Sequence, residues 1–208
     1  MKLKTIDNFL DLKDFEILKS LDLKKINDNE IKVYHNRVYK NEKIQAECLK
    51  ENQLKDFHVK YHKKALDILN TLNPSKVNLY DFSEFHIIET GANYKFPIHD
   101  DTPNKLLSGV VYIKPEENTG TIFYENKKGE GKKIISWKQN RGIFFSRIEG
   151  QSWHSYEGNG KANRVVLVYN LMTNRIKEVY KAEKKNYYLG IFRYWINPYL
   201  YKIFKFTI

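Results

Sequence analysis

Four polar residues in the second half of the chain have the types and spacing to act together. His99 and Asp101 stand two apart in Phe96-Pro97-Ile98-His99-Asp100-Asp101; His154 follows far downstream, and Arg164 comes ten residues after it. Two imidazoles and one carboxylate suit a divalent iron held on one face, with the opposite coordination positions left open. In an extended segment, residues i and i+2 project from the same side, so His99 and Asp101 converge while Asp100 points away. His154 must then arrive from a different strand, and Gln151-Ser152-Trp153-His154-Ser155-Tyr156 has strand character. A guanidinium presents paired donors to a carboxylate and keeps its charge when buried, so Arg164 fits the far end of a dicarboxylate co-substrate. An HxD pair alone arises often by chance; the later histidine and arginine make the set restrictive. The plain alternatives are a surface turn for His99 and Asp101, a hydrogen-bonded core histidine for His154 and an exposed strand arginine for Arg164.

Other reactive residues point elsewhere. His58 and His62 are four apart on a helix, a spacing that can bind metal, but no third ligand follows nearby and a solvated or capping role is expected. Cys48 is the single cysteine, which rules out an internal disulfide and reads as a small, semi-buried hydrophobe.

The elements that must position these residues are legible in the pattern. A short strand or turn at Thr5–Leu10 leads to a helix from about Leu12 to Leu21, and residues 31–40 read as one strand. Leu54, Phe57, Tyr61, Ala65, Ile68 and Leu72 recur three or four apart and predict a helix that Asn73-Pro74 stops. From Val77 onward the pattern turns β, with short apolar segments around Phe85–Ile88, Leu106–Ile113, Thr121–Tyr124, Lys133–Trp137, Gly142–Phe145 and Val165–Leu171. Turn-forming clusters separate them. The expected architecture is mainly β with flanking helices: a double-stranded β-helix, or jelly roll, with N-terminal helices packed on one sheet. One domain spans 1–208, with a supporting region at 1–76, the jelly-roll core at 77–173 and an extension at 174–208.

Composition bounds the rest. The chain has 208 residues, 41% hydrophobic and 14% aromatic, which excludes disorder and predicts one aromatic-rich core. Its net charge of +11 comes almost entirely from lysines spread along the chain, so no specific nucleic-acid surface is expected. The start lacks an uninterrupted apolar stretch and no window has membrane-span length, so the expectation is a soluble, cytoplasmic protein. Residues 184–208 combine many aromatics with Lys184, Lys185, Arg193, Lys202 and Lys205, while Pro198 is expected to interrupt any single helix. This tail is read as packing across the barrel or between subunits, the alternative being weak peripheral contact with a membrane surface.

From about Phe85 to Leu171 the sequence resembles the iron(II)- and 2-oxoglutarate-dependent oxygenases, in particular the prolyl-4-hydroxylase-like branch. FPIHDD, LSGVVYI, NTGTIFY, RGIFFS before WHSY, and NRVVLVYNL carry the resemblance in order, and TIDNFLDLKDFEILKSL resembles the opening of that branch. The resemblance implies His99, Asp101 and His154 as ligands of Fe(II), with 2-oxoglutarate and O2 as co-substrates. It implies Arg164 on the distal carboxylate of 2-oxoglutarate and Tyr112 against the same group, core packing being the competing role for Tyr112. Val166 departs from the pattern, because many members have serine or threonine there. Phe85, Ile87, Val110, Phe123, Phe145 and Val168 are candidates for apolar lining, with plain core packing the equal alternative. Tyr94, Lys95, Asp100, Lys105, Arg147 and Trp153 are candidate contacts for a small-molecule, glycan or peptidyl substrate, with Asp100 more simply a solvated carboxylate. The alternatives are a noncatalytic jelly-roll module binding a sugar or nucleic acid, and a cupin-type metal enzyme without 2-oxoglutarate. Oligomeric state stays open.

Overall fold

The computed structural model describes residues 2–204. Two antiparallel sheets face each other, and helices cover the outer side of the larger one. The large sheet contains β1 (Leu3–Ile6), β2 (Ile31–Tyr34), β3 (Arg37–Tyr39), β4 (Ile44–Gln45), β5 (Phe82–Thr90), β7 (Lys105–Lys114), β10 (Gly142–Phe145) and β12 (Arg164–Met172). Its order is β1-β10-β7-β12-β5-β3-β4, with β2 also pairing β5. The small sheet runs β6 (Lys95–His99), β11 (His154–Glu157), β8 (Thr121–Phe123), β9 (Lys133–Ile135).

The expected strand at 31–40 is two strands, and Asn36 is the reason. Fully buried, it donates through Nδ2 to the Phe85 carbonyl and accepts through Oδ1 from the Glu47 and Leu49 amides. Satisfying that amide bends the chain between β2 and β3, which pair successive halves of β5.

α1 (Leu12–Lys19) and α2 (Glu51–Leu72) lie against the large sheet. The predicted stripe of α2 is the buried face, except that Leu72 is only partly covered and Leu69 joins it. Pro74 opens a 3-10 segment to Leu79, so β structure begins at Phe82 rather than Val77. His58 and His62 are half-buried, not solvated. Their rings lie 4.5 Å apart, with His62 4.5 Å from Tyr80 and His58 edge-on to Phe85. Burial pushes both pKa values down, that of His62 to about 4 with help from His58.

The period-2 alternation of β5, β7 and β12 splits two cores. Phe85, Ile87, Val111, Leu167 and Tyr169 face the helices, where Phe85 stacks on Tyr169 at 4.4 Å. Such a stack adds about 0.5–1.5 kcal/mol beyond its buried area. Tyr112, Phe123, Ile143, Phe145 and Val166 fill the space between the sheets, flanked by Ile88, Val110, Trp137 and Val168. Phe85 and Ile87 therefore belong to the outer core and do not line the inter-sheet space. Ile88, one residue out of phase, does.

Beyond β12 come α3 (Ile176–Ala182) and α4 (Tyr187–Phe204). Pro198 does not end α4, which runs on through it to Phe204 although the ring lacks an N–H and crowds the carbonyl four residues back. Among the described residues α4 contacts mainly α3, and residues 205–208 lie outside the description.

Candidate metal centre

The small sheet brings the two histidines together. His99 ends β6, His154 opens β11, and the antiparallel register sets them directly opposite, with ring centroids 4.1 Å apart. Asp101 follows two residues after His99 and is buried. One ligand atom from each of His99, Asp101 and His154 lies within 4.8 Å of the others.

The protonation pattern suits a cation. His99 Nδ1 lies 2.9 Å from the Pro97 carbonyl and His154 Nδ1 lies 2.8 Å from the Ser152 carbonyl. A carbonyl only accepts, so each Nδ1 carries the hydrogen and Nε2 is the nitrogen of each ring turned to ligation. Desolvation, reinforced by the neighbouring His154, pushes His99 down to about 3. Asp101 Oδ1 accepts from Lys105 Nζ at 2.7 Å, and Oδ2 accepts from the Ser108 hydroxyl. Burial would raise this carboxyl, but Lys105 and the two histidines outweigh it and hold Asp101 well below the usual range. A carboxylate has about four lone-pair sites, so both protein donors leave room for an ion.

Asp100 points away as expected, yet it is not solvated. It accepts from the Gly150 amide at 2.7 Å and from the Ser152 hydroxyl, tying the His99–Asp101 turn to the loop before His154. Arg147 is a brace rather than a substrate contact. It is buried, donates Nε to the Asp101 carbonyl at 3.2 Å, and pairs with Glu183 at 2.8 Å. Lys76, also fully buried, reaches the same Glu183 at 2.6 Å. Trp153 donates Nε1 to the Gly150 carbonyl, and Lys95 pairs with Glu157 at the exposed edge.

Arg164 opens β12 between the sheets and is buried. Its guanidinium carbon lies 3.8 Å from the Tyr156 ring centroid, 5.5 Å from that of Tyr112 and 5.7 Å from that of Trp137. No carboxylate among the described residues pairs with it, and Nε has no partner. Burial accordingly pushes its pKa down. Tyr112 stacks on Trp137 and exchanges hydrogen bonds with Thr121, donating to Oγ1 at 2.9 Å and accepting from the amide at 2.7 Å. With Val166 apolar, Thr121 and Tyr112 bring hydroxyls to this end.

Several residues at the site carried no sequence motif. Asn170 pairs in register with Glu84 and donates Nδ2 to it at 3.1 Å, while its own Oδ1 is buried without a partner. Arg37 and His86 also hold Glu84, and Lys105 adds its charge. The Asn36 amide donates to His86 Nδ1, which makes His86 the Nε2–H tautomer facing Glu84. Inward parity on β5 and β12 was the available signal for Glu84, His86 and Asn170, and for Tyr156 it was the position two residues after His154.

No protein-family model matches the sequence, and no curated protein matches it. Solved structures do. A Pseudomonas putida prolyl-4-hydroxylase aligns at TM-score 0.55 and 12% identity, covering 83% of this chain and 92% of that one. A Burkholderia pseudomallei oxidoreductase of the 2OG-Fe(II) oxygenase family aligns at 0.54 and 13%, covering 83% and 87%. A Trichoplax adhaerens prolyl hydroxylase, solved with a peptide fragment of the hypoxia-inducible factor oxygen degradation domain, aligns at 0.53 and 14%, covering 84% and 85%. The chain thus shares the jelly-roll fold of these prolyl-4-hydroxylase and 2OG-Fe(II) oxygenase structures.

Proposed function

We propose that the protein is an iron(II)- and 2-oxoglutarate-dependent oxygenase that hydroxylates a peptidyl or small-molecule substrate. One observation carries the reading. Between the same two sheets stand three donor groups within reach of a single ion and a buried arginine that no carboxylate of the described residues neutralises. An unpaired buried charge is costly, so its retention is best explained by a ligand that brings the missing anion.

His99, Asp101 and His154 would hold the iron, and Arg164 would receive the distal carboxylate of 2-oxoglutarate. Bound together, iron and 2-oxoglutarate supply oxidation of a substrate C–H bond by O2, with succinate and CO2 released. The remaining work belongs to side chains. Lys105 and Ser108 fix the Asp101 carboxylate, and the Pro97 and Ser152 carbonyls orient the two imidazoles. Val110, Phe123, Phe145 and Val168 exclude water. Tyr112 would stand beside the carboxylate held by Arg164. The Asn170 Oδ1 acceptor, next to Glu84, would take an N–H or O–H of the substrate. The peptide held by the Trichoplax neighbour supports a peptidyl substrate class.

The test is anaerobic binding of iron(II) and 2-oxoglutarate by calorimetry, then succinate release on admitting oxygen. Wild type should bind both and release succinate without added substrate, and His99→Ala and His154→Ala should do neither. Absence of 2-oxoglutarate binding by the iron-loaded wild type would refute the reading.

A further inference from the structure

The outer face of α4 has no counterpart in the oxygenase reading. Of the ten large apolar side chains exposed among the described residues, seven sit on this helix. Tyr188, Phe192, Trp195, Tyr199 and Ile203 recur at intervals of four, three, four and four, which gathers them into one helical stripe. That stripe faces outward: Phe192 is 56% exposed, Trp195 68% and Tyr199 65%. The opposite side is the seated one. Gly190 is buried against α3, where an added Cβ would fall 2.1 Å from the Tyr180 ring, so only glycine permits this approach. An exposed aromatic patch on a helix anchored at one end needs a partner.

The charges choose among partners. From residue 184 to 208 the sequence holds five basic residues and no acidic one. Lys184, Lys185 and Lys202 are exposed, and Arg193 makes only a 3.8 Å pair with Glu149 while remaining half in solvent. A second copy laid on this face would meet the same positive charge, whereas an anionic lipid surface attracts it. No described helix is long and apolar enough to cross a membrane. Tryptophan and tyrosine have an apolar body and a polar tip, which suits the headgroup boundary.

We propose that α4 is an interfacial anchor that lies flat on anionic membrane, inserting Phe192, Trp195 and Tyr199 and leaving the oxygenase site to work beside the bilayer. Eighteen helical residues would lie along about 27 Å of surface. The inference stands on exposure and charge alone and does not depend on the reaction catalysed.

Co-sedimentation of the full chain with phosphatidylcholine vesicles, with and without phosphatidylglycerol, tests it. Wild type should partition onto the anionic vesicles at least about tenfold more strongly than onto the neutral ones, and salt should weaken this binding. The triple variant F192S/W195S/Y199S should lose binding while keeping wild-type circular dichroism. Should that variant fail to fold, lipids brominated in their acyl chains provide the second readout: they should quench wild-type fluorescence much more than that of Trp195→Phe. Wild type left in the supernatant with anionic vesicles, or equal quenching of the two proteins, overturns the proposal. So does a lipid-free dimer that the triple variant abolishes, since the occupant is then a second copy.

Discussion

Replacing Arg164 with methionine separates a structural arginine from one awaiting a ligand. In the ligand-free protein the guanidinium forfeits several kcal/mol of hydration. It recovers about 2 kcal/mol from Tyr156 at 3.8 Å and about 0.5–1 kcal/mol each from Tyr112 and Trp137, farther off. The rings offset part of the loss and bring no neutralising charge. Ligand-free Arg164→Met should therefore be as stable as wild type, or up to about 2 kcal/mol more stable, a rise of roughly 0–8 °C in Tm for a chain of this length. An arginine torn from a buried acid would instead cost about 3–5 kcal/mol. Loss of the charged pair with 2-oxoglutarate should weaken its binding by about 2–5 kcal/mol, roughly 30-fold to several-thousand-fold. The assay is thermal unfolding of metal-loaded protein across a 2-oxoglutarate series. Wild type should gain about 2.7 kcal/mol at one hundred times the dissociation constant, and the variant almost nothing at that concentration. An unchanged 2-oxoglutarate response in the variant would refute the co-substrate assignment. A loss of 3 kcal/mol or more without ligand would show that the protein itself neutralises Arg164.

Asp100→Ala should lower iron(II) affinity about 10–100-fold with the fold intact, because the clamp from Gly150 and Ser152 to the ligand turn is lost. Metal titration followed by circular dichroism reads this, and unchanged affinity would discount the clamp. Glu84 sits at about 2, below its ordinary 4.5: burial opposes the shift, but the His86 and Asn170 hydrogen bonds and the nearby cations prevail. A depressed carboxyl stabilises the fold above its unfolded pKa and loses that contribution as pH falls through the folded value. Glu84 should therefore contribute up to about 3 kcal/mol at neutral pH that fades between about 4.5 and 2. In urea unfolding, Glu84→Gln should lack this part of the acid dependence; parallel curves for the two proteins across that range would contradict the assignment.

Periodicity alone fixed much of this protein. The α2 stripe and the positions of the main β segments follow from side-chain patterns and turn signals, which are local properties of the chain. The HxD turn was equally local, since i and i+2 share a side of any strand. Tertiary structure decided which distant residues became neighbours. The antiparallel register of β6 and β11 sets His154 opposite His99, and no local pattern encodes that pairing. Face assignment also needed the whole fold, since a one-residue shift in parity sends Phe85 and Ile87 to the helices and Ile88 inward. Arg147, Asp100 and Arg164 make the same point for charge. Sequence offered the first two as substrate contacts and the third as a carboxylate partner, yet packing makes the first two into braces and leaves the third buried with no acid among the described residues to meet it. The cost of dehydrating a charge depends on what surrounds it, and that is settled only when the sheets close.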